Sequence, residues 1–205
     1  MSALRLALAG AVGGLAWSAS LRAYMVEIAG AASRFEWVGT FGQILLPGVA
    51  IGVLLGIAEH FRRTGGRRGW RWLAASPVLF AIAPLLAPGA VAALVTTGIG
   101  GGAVAIPLIG ILGGFAVSGR GPLWGRITAG VPAFALVAGG TVAHFTFAAR
   151  LLGMTEPRGA WVGVLFASLM VVLIAACSIP FRTVARPAFA EDTRPRVVDR
   201  RIAQR

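Results

Sequence analysis

Six long apolar stretches, at about 6–21, 38–58, 72–88, 99–118, 127–149 and 160–181, alternate with shorter segments that hold every charged residue of the chain. An α-helix rises ~1.5 Å per residue, so about 20 residues cross the ~30 Å of hydrocarbon in a bilayer, the length of most of these stretches. The pattern predicts an all-α fold: a polytopic transmembrane bundle of about six spans over residues 1–181, with both termini on one side. In that layout fifteen arginines fall on the side of the termini, and four, Arg22, Arg34, Arg150 and Arg158, on the other. Cytoplasmic loops collect basic residues, so both termini are expected in the cytoplasm, beneath the plasma membrane. Arg5, the run after it and Ser18-Ala19-Ser20 also fit a cleavable leader, but Gly10 and Gly14 suit helix packing better.

Composition sharpens this picture. At 57% hydrophobic and 13% charged residues, the chain is too apolar for a soluble domain of 205 residues. A net charge of +12 would suggest nucleic acid if it formed one basic stripe; divided among loops, it orients a membrane protein instead, and no nucleic acid is expected as a partner. All 19 basic residues are arginine, and alanine and glycine abound, which suits a GC-rich bacterial genome. Residues 182–205 carry seven arginines against three acids and no sustained apolar face, and read as a disordered cytoplasmic tail on the anionic inner leaflet.

Between the first two runs lies LRAYMVEIAGAASRFEWVGT, residues 21–40. If the helix continues past Arg22, Leu21, Met25, Ile28 and Ala32 share one side and Glu27 and Arg34 the other. That predicts an amphipathic turn or two along the outer membrane surface, with Tyr24 and Trp37 at headgroup depth. Arg22-x-Tyr24-Met25 followed by Phe35-x-Trp37-x-Gly39-Thr40 resembles a family of small multi-pass actinobacterial membrane proteins to which no activity is attached. The resemblance covers about 20 residues and implies a membrane bundle without implying a mechanism.

Within the runs, Gly10 and Gly14, and Gly48, Gly52 and Gly56, recur at the four-residue spacing that lets helices approach closely. Pro47 lacks an amide proton and frees a carbonyl one turn back, near Gln43. Pro77, Pro84, Pro88 and Pro107, with glycines at 98, 100–102, 110, 113 and 114, interrupt the third and fourth runs. Such broken helices line substrate paths in transporters and also occur as simple kinks. Gly98-x-Gly100-x-Gly102 lacks the strand and helix that would make it a dinucleotide site, so no cofactor is expected. His60, His144 and Cys177 lie too far apart in sequence for a metal motif. Glu59-His60 reads as a helix end of mixed charge, and Cys177 as a packing residue.

One polar site stands out. Thr40 and Gln43 share a face of the second span, and Thr141 and His144 one of the fifth. Gln43 and His144 stand some 7–9 Å outward of mid-span. They predict either an interhelical hydrogen bond or an outward-facing cavity with Arg22 or Glu27 at its mouth. Three function classes follow: an interaction subunit of an envelope assembly, first; a small-solute transporter or membrane-embedded solute-binding component, close behind; an intramembrane enzyme, last. The expected partners are the lipid bilayer and a membrane protein, a second copy included.

Overall fold

A computed structural model describes residues 2–97, 101–147 and 156–185, without the side chains of residues 93, 97 and 143–147. All regular elements among them are helical. The helices are α1 (Ala3–Ala29), a π-helical segment (Trp37–Leu45) continuing into α2 (Leu46–Arg63), a 3-10 segment (Trp70–Val78) continuing into α3 (Leu79–Leu85), α4 (Ala90–Thr97), α5 (Gly101–Val117), α6 (Leu123–Phe147) and α7 (Pro157–Cys177). The basic tail lies almost wholly outside the described residues.

Among the described residues four stretches are long and apolar enough to cross a membrane: Ala3–Ala32, Trp37–Arg63, Leu123–Val142 and Pro157–Phe181. A fifth is reached only if Trp70–Leu85 and Ala90–Thr96, bent by 106°, count as one. The described residues therefore give four or five candidate spans against the about six expected from the sequence, and the difference lies at the interrupted third and fourth runs. Pro84 and Pro88 supply no backbone donor, and Gly89 turns the chain with φ 78°, so α3 ends at Leu85. The described part of α5, Gly101–Val117, is apolar and 17 residues long.

α1 and α2 are antiparallel and meet through glycine. A Cβ at Gly10 would overlap the Gly52 carbonyl, one at Gly14 the Gly48 carbonyl, and one at Gly56 the Leu6 carbonyl. Ser18 completes the row: fully buried, it lies against Gly48 and donates to its own helix's Leu15 carbonyl at 3.1 Å. Without side chains between them the two backbones touch, and dispersion replaces the hydrophobic drive that lipid removes. α5 meets α7 in the same way, since a Cβ at Gly114 would stand 2.6 Å from the Cys177 carbonyl carbon.

The core lies where α1, α2, α3, α5 and α7 converge, on Trp17, Ile51, Phe80, Ile109, Leu169 and Met170. Trp17 donates from Nε1 to the Leu169 carbonyl at 2.8 Å, and its ring stands 5.3 Å from that of Phe80. The first residues of α1, the end of α2 and the end of α7 lie together, for Leu6 abuts Gly56 and the Ala185 amide donates to the Arg62 carbonyl at 2.9 Å. We call this the basic end; the turn after α1 forms the opposite end.

α1 does not stop at Arg22. No glycine or proline interrupts it before Gly30, whose φ of 53° ends the helix. Residues 22–29 are thus the last two turns of a bundle helix, and the surface-lying amphipathic turn expected there is replaced. Tyr24 is buried beside Phe166, its ring 5.3 Å away, whereas Trp37 is 80% exposed.

Candidate functional site

At the opposite end the helices enclose a cavity of about 750 Å³. Its walls are mostly apolar: Leu21, Met25 and Ile28 from α1, Phe80 from α3, Ile106 and Ile109 from α5, Leu136 from α6, Phe166 and Met170 from α7. The π-helical segment contributes Gly39, Thr40, Gln43 and Ile44, and the loop before it brings Ser33, Arg34 and the exposed Glu36 to the rim. A π-turn bonds residues five apart, and the Leu46 amide donates to the Phe41 carbonyl at that spacing. Pro47 lies at the junction, where its missing amide proton leaves the preceding turn to find another hydrogen-bond register.

Arg22 is the charged group held most deeply here. It is 7% exposed, lines the cavity, and is fixed from the loop side. Nη1 donates to Ser33 Oγ at 3.0 Å, Nη2 donates to the Arg34 carbonyl at 2.5 Å, and Cζ stands 4.2 Å from the centre of the Phe35 ring. A guanidinium offers five N–H donors, so these two bonds leave three without a protein acceptor among the described residues. No carboxylate among the described residues forms an ion pair with it. Burying a cation without a counterion costs several kcal/mol, which carbonyl, hydroxyl and ring contacts offset only in part.

The residues singled out in the sequence separate into two groups. Arg22, Thr40 and Gln43 come together on the cavity wall; Thr40 is 5% exposed, and the Gln43 amide has no protein partner among the described residues. Glu27 and Thr141 are engaged elsewhere. Glu27 accepts from Arg158 Nε at 2.8 Å, tying α1 to the first turn of α7. Thr141 donates to the Val137 carbonyl one turn back on its own helix at 2.8 Å. His144 continues α6 one turn beyond Gly140, a cavity residue, and its side chain lies outside the described residues. Tyr24, expected at headgroup depth, lines the cavity instead, and Phe166 and Met170 line it without having been marked by any motif.

Among the described residues no three His, Cys, Asp or Glu side chains gather as a metal site would require. Cys177 is buried where α5 meets α7, 1% exposed. Glu59 accepts from Arg62 and Arg63 at 2.6 and 2.5 Å at the basic end of α2, far along the helix from the cavity. No protein-family model matches the chain, and no curated protein or solved structure is similar enough to count as a match.

Proposed function

We propose that this is a multi-pass membrane protein with its basic end in the cytoplasm, and that it binds an amphiphile with an anionic head in the cavity at the opposite end. The observation that carries this reading is Arg22, buried beside a mostly apolar space and, among the described residues, without an ion-pair partner and with three donors unused. The volume lies within the ~300–1,000 Å³ of small-molecule sites. A ligand body taken from lipid gains little by entering an apolar wall, because acyl chains are as apolar as the side chains that replace them. Recognition must then rest on the head: a carboxylate or phosphate on Arg22, with Thr40 and Gln43 beside it. The solute-binding reading therefore stands ahead of the interaction subunit, since exposed apolar residues such as Phe134 and Val131 on α6 are what lipid itself covers.

The test is ligand-induced thermal stabilisation of the purified full chain in uncharged detergent, using lauric acid and lauryl phosphate against dodecanol. The acids should raise the melting temperature and the alcohol should not. Arg22→Gln should remove the response, and Arg22→Lys should retain part of it, because a point charge replaces the fork. Equal stabilisation by dodecanol would refute the proposal.

A further inference from the structure

At the basic end a second recess, of about 660 Å³, opens between α2 and the 3-10 segment. Its sequence is TGGRRGWRW, residues 64–72. α2 ends at Arg63; the Gly66 amide donates to the Phe61 carbonyl at 2.7 Å, and Gly65, Gly66 and Gly69 take φ of 94°, 81° and 77°, a left-handed path closed to most side chains. This winding brings Arg67, Arg68 and Arg71 to the rim of one recess. None of the three guanidinium groups donates to an acceptor among the described residues, and residues 64–78 contain no acid. The backbone amides of Arg67, Arg68 and Gly69 also lack acceptors among the described residues. Successive free amides in a left-handed turn make a concavity suited to anions.

Two tryptophans define what kind of anion fits. Trp70 is buried, 7% exposed, forming the inner wall beneath Arg71, whose Cζ lies 5.9 Å from its ring. Trp72 is 83% exposed on the apolar segment that follows. A soluble anion has no use for an exposed indole, whereas a phospholipid places its phosphate among the arginines and its glycerol and upper acyl chain along the ring. The loop also begins where the candidate span Trp37–Arg63 ends, at headgroup depth if that helix crosses the membrane. We propose that residues 65–72 form a specific site for the phosphodiester headgroup of an anionic phospholipid. It is separate from the cavity on Arg22 and independent of what that cavity binds.

The test is retention of phosphatidylglycerol, against phosphatidylcholine, by the full chain in native mass spectrometry from mild detergent. The wild type should keep phosphatidylglycerol, and Arg67→Gln/Arg68→Gln/Arg71→Gln should weaken it about tenfold or more. Arg5→Gln/Arg120→Gln/Arg182→Gln removes the same charge from the same end and should change retention by less than about twofold. Trp72→Ala, at an exposed position that the fold does not require, should also weaken retention. Millimolar inorganic phosphate should not displace the lipid. Equal losses from the two triple variants would reduce the site to diffuse surface attraction and overturn the proposal. So would full retention by the loop triple or by Trp72→Ala, or displacement by phosphate.

Discussion

Replacing Gly52 by alanine adds one methyl group at the closest approach of α1 and α2. Its carbon would stand 2.8 Å from the Gly10 carbonyl carbon and 3.0 Å from Gly14 Cα. It would also overlap the Gly10 carbonyl oxygen outright, and carbon atoms rest at ~3.5–4.0 Å, so the helices must part by roughly 1 Å or more, a gap that forfeits about half or more of each dispersion contact it opens. Overpacking of this kind costs ~1–3 kcal/mol, against a gain of up to ~1 kcal/mol from alanine's better helix propensity. The net expectation is a loss of about 1–2 kcal/mol. Gly13 supplies the control: a Cβ there meets nothing within 4 Å, so Gly13→Ala should be neutral or slightly stabilising. Gly10 and Gly52 obstruct each other reciprocally, so parting the helices for one methyl makes room for the second. The double variant should therefore lose about 1 kcal/mol less than the sum of the singles. Unfolding by SDS in mixed micelles, followed by tryptophan fluorescence, measures all four proteins. Equal midpoints for Gly52→Ala and Gly13→Ala, or strict additivity in the double, would refute the close backbone contact.

Three further outcomes are expected. Trp17→Phe, which keeps an aromatic ring but removes the pyrrole part of the buried indole with its donor to the Leu169 carbonyl, should cost about 1 kcal/mol or more in the same assay; an unchanged midpoint would show that neither the bond nor the packing contributes. Glu27→Gln should cost less than ~1 kcal/mol, because the Arg158 side chain is 65% exposed and solvent screens the pair; a larger loss would place the pair in a drier setting. In a Cys177→Ala background, single cysteines at Thr64 and Thr183 should resist an impermeant thiol reagent applied to whole cells, and one at Ala31 should react. Labelling at Thr64 from outside would invert the proposed orientation.

Helical, apolar character could be read from the chain because lipid imposes it on each segment separately: a run of ~20 apolar residues carries its own length requirement. The third and fourth runs show where that reasoning fails, since hydropathy counts residues while Pro84, Pro88 and Gly89 decide whether they stay collinear. The glycine spacing at 10 and 14 and at 48, 52 and 56 is visible in one dimension; which helix faces which is a property of the assembled bundle. At the cavity, Arg22, Thr40 and Gln43 drew attention by being polar next to apolar runs. Phe166 and Met170 did not, because a cavity wall and a core have the same composition. The π-winding of Trp37–Leu45 was hinted at by Pro47 alone, and a proline does not say whether a helix kinks or widens. The loop GGRRGWRW was counted as charge that orients the chain, and its left-handed glycines, which bring that charge to one recess, are a matter of conformation.

The π-winding of Trp37–Leu45 makes one wall of the cavity adjustable where its neighbours are not. A π-turn takes up more residues than an α-turn over the same height, so this segment stores chain length that tighter winding could release. α2 below it is fixed to α1 by bare backbone at Gly48, Gly52 and Gly56, so any rewinding is absorbed on the far side of Pro47. Thr40 and Gln43 would then turn relative to Arg22 while the rest of the bundle stood still, which lets heads of different size meet the same guanidinium.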